Sequence, residues 1–357
     1  MKKVLIGAAL LMASSATFAQ EKDSTASLTF SGYVEAYYGY DFLRPSDHNR
    51  PGFIYSHNRH NEVNINLAFI KANYTSDRVR GNLALMAGTY AQANYAAESS
   101  IMQHVYEANV GVRVAKNLWL DAGVMPSHIG FESAVSKDCY TLTRSIMAEN
   151  TPYYEAGAKL TYNPNDKWAF SVMYLNGWQR IKRVDGNQTP GVGSQVVFKP
   201  SSNVTLNWST FIGNDKPDTV RQMRYFNNVY GIFNITNKFS VIAGMDYGME
   251  QTAKGSSDYN KWYSPIVIAR YALPGNFAIA GRMEYYKDEN NVIISTPGNV
   301  GFETTGYSLN LDYAPIRNVL IRVEGKTFDS RQAIYSKYEK GLQKNAGLLT
   351  TSIAISF

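Results

Sequence analysis

The residues that could perform chemistry in this chain include charged side chains on one long connecting segment, residues 127–152. The segment spans 26 residues, a length that is uncommon in compact domains unless the connection has a function of its own. Fixed charges of both signs can sort ions and orient dipolar solutes wherever an aqueous passage is narrow. We therefore predict a constriction formed by the charged residues of this segment, which are Glu132, Lys137, Asp138, Arg144 and Glu149.

A second set of charged residues alternates with apolar residues along predicted strands. Alternation with period two places the two kinds of side chain on opposite faces of a strand. An Arg or Lys that faces lipid costs about 2–4 kcal/mol at the middle of a bilayer, so the charged face should line an aqueous interior. Each residue could instead be a solvated wall residue without a role in selectivity. The predicted lumen wall contains Arg113, Asp121, Glu155, Lys159, Arg282, Glu284, Arg322, Glu324 and Lys326, together with Glu35, Glu62 and Arg80.

Other reactive residue types form weaker patterns. His48, His57 and His60 could bind a metal, but an H-x-x-H pair without Cys or carboxylate support is more typical of solvated side chains. Ser127 and His128 are adjacent, and neighbouring strand residues point to opposite faces, so they are not expected to form a nucleophile and its base. We predict no catalytic residue, no metal site and no cofactor.

The elements that must position these residues are amphipathic strands. Residues 118–124 and 154–162, which flank the charged segment, alternate between apolar and polar side chains. The chain shows eight long connections and seven short turns, and hence about sixteen strands. Sixteen strands leave an aqueous lumen, whereas about eight are filled by their own side chains. We predict an all-β, antiparallel up-and-down transmembrane barrel whose third long extracellular loop, residues 127–152, folds into the lumen.

One predicted strand has an irregular pattern. Its apolar residues at 63, 65, 67 and 69 alternate with Glu62, Asn64 and Asn66, which predicts that all four apolar side chains face lipid. The alternation slips near Lys71, where one extra residue would form a β-bulge.

The ends and the composition of the chain predict its compartment. Residues 1–19 contain Lys2, Lys3, a short apolar run and small residues before Ala19, which is the pattern of a secretory signal peptide. Residues 20–357 then form a single domain, and none of their stretches reaches the ~20 consecutive apolar residues of a membrane helix. The chain nevertheless has 26 tyrosines, which suit the boundary between lipid and water. Its one cysteine, Cys139, excludes an internal disulfide.

We therefore expect a barrel in contact with outer-membrane lipid and no nucleic-acid partner. A secreted β-sandwich is the alternative fold, but it does not explain the strict alternation of long and short connections. It would also need apolar residues where this chain has charges.

Two stretches of sequence resemble a known family. The first strand SGYVEAYYGYDF and the run PSHIGFESAVSKDCYTLTRSIMAENTPYYEAG resemble the OmpL-like β-barrel porins, and the specific part of the likeness lies in residues 126–157. The resemblance implies an outer-membrane porin and supplies no ligand. The terminal Phe357 is similar to the aromatic end that the barrel assembly machinery recognises. General porins are similar in that their third long loop narrows the pore, and they are homotrimers.

The sequence and the resemblance together favour passive diffusion of small hydrophilic solutes through a water-filled barrel. Three alternatives stay open at this point. They are a substrate-selective channel for sugars or peptides, a barrel lipase, and a surface adhesin with a closed barrel.

Overall fold

The chain forms one closed barrel of sixteen antiparallel strands in a computed structural model that describes residues 26–357. The signal peptide predicted at residues 1–19 lies outside the described residues. The barrel strands are β1 (Ser27–Asp41), β2 (Val63–Thr75), β3 (Val79–Ala87), β4 (Val105–Ala115), β5 (Leu118–Pro126), β6 (Tyr154–Asn165), β7 (Trp168–Leu175), β8 (Gly191–Ser201), β9 (Val204–Gly213), β10 (Arg224–Asn234), β11 (Phe239–Gln251), β12 (Tyr259–Leu273), β13 (Phe277–Asp288), β14 (Phe302–Ile316), β15 (Val319–Ser330) and β18 (Asn345–Ser356). The predicted number of strands is confirmed.

Eight long connections alternate with seven short turns, so all long connections lie at one rim of the barrel. The second long connection contains helix α1 (Thr89–Asn94), the third contains helix α2 (Ile146–Glu149), and the last contains a small hairpin, β16 (Tyr335–Lys337) and β17 (Gly341–Gln343). No helix within residues 26–357 is long and apolar enough to cross a membrane.

The two faces of the wall differ in polarity as the alternation predicts. Outward side chains are apolar and exposed, for example Phe30 at 70% and Leu309 at 61%. Inward side chains such as Glu35 and Asp246 are charged and buried. An apolar outer band is what a barrel in lipid requires.

Strand β2 contains a bulge, but not where the sequence pattern placed it. Glu35 of β1 pairs with Leu67 and Ala36 pairs with Ile65, so Asn66 is the extra residue. The bulge reverses the facing of the residues that follow, and Leu67 is buried in the interior rather than exposed to lipid. Asn66 is held by its amide, which donates to the Glu35 carboxylate at 3.0 Å. The prediction of a slip near Lys71 is therefore wrong.

The barrel interior holds an apolar core at the rim of the long connections. Phe53 of the first connection packs against Phe302 of β14 and Phe328 of β15, with ring centroids 4.9 and 5.5 Å apart. Leu43 and Ile54 of the same connection belong to this cluster. Burial of apolar surface therefore draws the first long connection into the barrel.

Candidate functional site

Residues 127–152, the third long connection, cross the interior of the barrel. Gly130 N donates to Asn228 Oδ1 of β10 at 3.1 Å, and Leu142 N donates to Asn310 Oδ1 of β14 at 3.0 Å. The Ser136 hydroxyl donates to Glu35 of β1. Since β1 and β10 lie on opposite sides of the ring, the loop spans the lumen.

Charged side chains of β13 and β15 hold the middle of the loop. Arg282 donates to Thr143 O at 2.7 Å and forms an ion pair with Glu324 at 2.9 Å. Lys326 forms an ion pair with Glu284 at 2.9 Å and donates to Arg144 O at the same distance. A loop without regular structure leaves backbone carbonyls unpaired, and these cations supply the missing donors.

Arg322 of β15 holds a second part of the loop in the same way. Its Nε donates to Asp312 Oδ1 at 2.7 Å, and its two terminal nitrogens donate to Ser136 O at 2.6 Å and Cys139 O at 3.1 Å. A guanidinium has five donors in a fixed fork, so one side chain can serve a carboxylate and several carbonyls at once.

The loop covers and buries these charged wall residues. Arg282 is only 3% exposed, and the wall residues around it are also buried, namely Glu284, Arg322, Glu324 and Lys326. The sequence predicted that these residues line the aqueous interior. They do point inward, but the loop packs directly against them and buries them.

The predicted constriction residues also differ from one another in how far they are buried. Arg144 is 1% exposed, and Glu149 is 5% exposed and lines a cavity, so the place of these two residues in a constriction stays a prediction. Glu132 turns its carboxylate to Ser145 N at 3.1 Å and lies 3.6 Å from Arg282. The remaining two differ: Lys137 is half-buried and donates to Ser356, whereas Asp138 is exposed.

Glu149 joins the third long connection to the first. Its carboxylate accepts hydrogen bonds from Tyr55 N and Ser56 N, each at 3.1 Å. No Lys, Arg or His within residues 26–357 forms an ion pair with it. Burial without a paired cation raises the pKa of Glu149 to about 7.

On the opposite wall, β2 to β5, the cations keep part of their side chains exposed. Lys71 pairs with Glu107 at 2.8 Å, and Arg80 Nε donates to Asp121 at 2.7 Å, while the Arg80 side chain remains 34% exposed. Arg113, at the short-turn end of β4, is exposed. On the neighbouring strand β6, the predicted wall residue Lys159 is half-buried.

Glu155, the other predicted wall residue of β6, is buried and orients the first residues of the loop. His128 Nδ1 lies 2.9 Å from Glu155 Oε2, and its Nε2 donates to Thr210 O at 2.8 Å. The Ser127 hydroxyl donates to the same Glu155 carboxylate at 3.3 Å. Both ring nitrogens are therefore engaged, and neither contacts the Ser127 hydroxyl as a catalytic base would.

The histidines of the first connection are not all solvated as the sequence suggested. His57 is completely buried, its Nε2 lies 3.1 Å from Glu35 Oε2, and His60 is also buried. The first connection folds into the barrel, which the H-x-x-H spacing could not indicate. Across residues 26–357, no group of three or more His, Cys, Asp or Glu side chains is placed to hold a metal ion.

Two cavities are lined by neighbouring residues of the loop. A cavity of about 430 Å³ on the short-turn side is lined by Lys71, Glu107, Asp138 and Tyr153. A cavity of about 310 Å³ on the long-connection side is lined by residues 149–151 and by Trp178. Consecutive residues of the loop therefore line the two cavities, 149–151 the second and 152–153 the first.

Among the residues that hold the loop or its anchor Arg322 and that the sequence analysis did not name, two lie on β14, Asn310 and Asp312. They contact Leu142 and Arg322 respectively. Both alternate with Leu309 and Leu311, so the same period-two pattern that identified the other wall residues would have found them.

The comparisons with known proteins agree on a barrel of porin type. The family model described as "Putative beta-barrel porin-2, OmpL-like" matches residues 27–357. Among curated proteins, none matches the sequence.

Solved structures resemble the fold at low sequence identity. The chain is similar to an anion-selective porin from Comamonas acidovorans, with 7% identity and a TM-score of 0.63, covering 93% of this chain and 100% of that one. It is also similar to the trimer form of OmpT, an outer membrane protein of Vibrio cholerae, with 12% identity, a TM-score of 0.60 and the same coverage. OmpF of Salmonella typhi shows 13% identity and a TM-score of 0.58, with 92% and 97% of the two chains covered.

Proposed function

Because the chain belongs to the OmpL-like β-barrel porin family, we propose that it is a bacterial outer-membrane channel for passive diffusion of small hydrophilic solutes. The observation that carries the proposal is the pair of cavities lined by consecutive loop residues, 149–151 and 152–153. In this proposal residues 149–153 are the partition between the two cavities and the narrowest point of the solute route.

Tyr153 is the side chain that sets the width of this narrow point in our proposal. Its backbone N donates to Gln179 Oε1 at 2.7 Å, and its ring packs edge-on against Tyr90 at 5.6 Å. Asp138 lines the cavity on the short-turn side and Lys137 is adjacent to it, so in this proposal these two residues carry the selectivity that the sequence analysis assigned to all five loop charges.

Conductance in planar bilayers tests the proposal. Pure protein should produce stepwise, ohmic current, and Tyr153→Ala should increase the size of each step because it removes a ring from the partition. Tyr162→Ala is the matched control, since Tyr162 is an exposed residue on the outer face of β6. An absence of current steps with pure, folded protein would refute the channel.

We further propose that the protein is not a lipase. The engagement of both His128 ring nitrogens by Glu155 and Thr210 supports this, because no base remains for Ser127. Release of fatty acid from phospholipid by the purified barrel, lost in Ser127→Ala, would contradict the proposal.

A homotrimer is proposed on the solved trimer form of the Vibrio cholerae protein, and mass measurement in native micelles tests it.

Recognition of Phe357 by the barrel assembly machinery is also proposed. Substitution Phe357→Ala should then lower the yield of folded barrel in the outer membrane while refolding in detergent proceeds.

A further inference from the structure

The cavity on the short-turn side of the loop has aromatic walls. Phe69 of β2 stacks on Tyr106 of β4 with ring centroids 5.0 Å apart and planes 25° apart, and Tyr33 of β1 stacks against Phe69 at 5.8 Å. From the loop, Phe131 and Tyr153 also line this cavity. The faces of aromatic rings carry partial negative charge and attract cations within about 6 Å.

The charges that line the cavity leave one carboxylate free. Lys71 and Glu107 neutralise each other at 2.8 Å. Glu132 is occupied by Ser145 N and by Arg282. Asp138, by contrast, is exposed, and its carboxylate has no hydrogen bond or ion pair with any residue between 26 and 357. The adjacent Lys137 donates to Ser356 instead.

We propose that this cavity binds small organic ammonium ions. The ammonium group pairs with Asp138, and the apolar body of the solute packs on Phe69, Tyr106 and Phe131. The volume of about 430 Å³ lies in the range of sites that bury small organic ligands. An organic anion would be repelled by Asp138, and an uncharged solute of the same shape would leave Asp138 without a partner. The inference rests on the proposed function in treating the cavity as part of the solute route.

Calorimetric titration of the full barrel in detergent micelles tests the inference with two probes of nearly the same shape. They are 2-phenylethylammonium and 2-phenylethanol, which differ in the charged group. We expect the ammonium to bind roughly tenfold more tightly, since a hydrogen bond to a charged group is the stronger kind. The substitution Asp138→Asn should weaken ammonium binding roughly tenfold and leave alcohol binding unchanged.

Asp166→Asn is the matched control, because Asp166 is an exposed acid in the turn between β6 and β7, outside the cavity. It should bind both probes as the wild type does. Phe69→Leu keeps an apolar wall but removes the ring face, so it should weaken the ammonium more than the alcohol. Equal affinity for the two probes, or full ammonium binding by Asp138→Asn, would overturn the inference.

Current measurements separate this inference from the proposed function. If both hold, 2-phenylethylammonium added on the short-turn side should block the current in a saturable way. Calorimetric binding by a barrel that shows no current steps would refute the channel and leave the ammonium site standing. Current steps from a barrel that binds neither probe would refute the ammonium site and leave the channel standing.

Discussion

The two sides of the lumen are built from the same residue types, but they use their charges differently. On β13 to β15, Arg282 and Glu324 lie under the loop, fully buried and hydrogen-bonded to its backbone. On β2 to β5, Arg80 and Asp121 form an even shorter pair at 2.7 Å, yet about a third of the Arg80 side chain is exposed. The first wall positions the loop, whereas the second wall leaves its cations partly exposed in the interior. Packing of the loop, not the charge itself, decides which role an inward residue has.

The largest expected difference in stability between the two walls follows from removing one cation from each. Arg282→Ala leaves Glu284 and Glu324 buried with less compensation, so we expect the free energy of unfolding to fall by about 3–5 kcal/mol. Arg80→Ala should cost only about 0.2–1 kcal/mol, because water screens a partly exposed pair. Urea unfolding of both variants in the same micelles measures the difference. Equal losses would show that the two walls are energetically alike.

The buried carboxylate of Glu149 gives the next largest effect, because its burial lacks a paired cation. Its pKa of about 7 in the folded protein lies above the ordinary value of 4.5, so the folded state holds the proton more tightly. The resulting stabilisation is present below about pH 4.5 and is lost as the pH rises through 7. Glu149→Gln cannot ionise, so at pH 8 it should be more stable than the wild type by about 3 kcal/mol.

Unfolding measured between pH 4.5 and pH 8 checks this prediction. The exposed Glu339 supplies the control, since Glu339→Gln should not alter the pH dependence. We predict that the stability of the wild type falls relative to that of Glu149→Gln as the pH rises. A relative stability that rises from pH 5 to pH 8 would contradict this prediction.

We expect the number of hydrogen-bond donors on Arg322 to matter more for the stability of the loop than its positive charge. Arg322→Lys keeps the cation but cannot serve Asp312 and the carbonyls of Ser136 and Cys139 together. We expect a loss of about 1–3 kcal/mol in unfolding free energy and larger current noise from a loosened loop. Arg113→Lys, on an exposed side chain, is the control and should change neither quantity. If Arg322→Lys has the stability and the current noise of the wild type, the several donors of the guanidinium are not needed to hold the loop.

The smallest effect on stability should come from a substitution on the β2 to β5 wall. There we expect a change in ion selectivity instead. Lys71→Gln leaves Glu107 unpaired beside the cavity, so the reversal potential in a salt gradient should shift towards cation selectivity. The stability should change by about 0–1 kcal/mol. Lys167→Gln, in an exposed short turn, should leave the reversal potential unchanged. An unchanged potential in Lys71→Gln would remove the β2 to β5 wall from the solute route.

The sequence predicts the wall well because facing is a local property of a strand. Alternation of charged and apolar residues placed Arg282 and Glu324 inward and Leu309 outward, and counting connections gave the number of strands. The prediction that the third long connection folds into the lumen rested on its length, its charges and the similarity to general porins.

Features that depend on contacts between distant segments could not be predicted in this way. Arg144 and Glu149 are charged residues on a polar loop, and nothing local shows that both become buried, Glu149 against Tyr55 and Ser56 of the first connection. The bulge at Asn66 was missed because Leu67 and Phe69 are apolar and suit lipid as well as the interior core. His57 is buried because its whole connection folds inward around Phe53, which is set by apolar packing far along the chain.

Two adjacent residues of the loop also bear on how the barrel folds. Ser136 donates to Glu35 on β1 and Lys137 donates to Ser356 on β18, the two strands whose pairing closes the ring. All other barrel pairs join consecutive barrel strands, whereas this pair joins opposite ends of the chain and carries the largest loop-closure entropy. A loop that already holds both strands raises their effective concentration for each other. We expect residues 127–152 to act as an internal template that accelerates ring closure during folding.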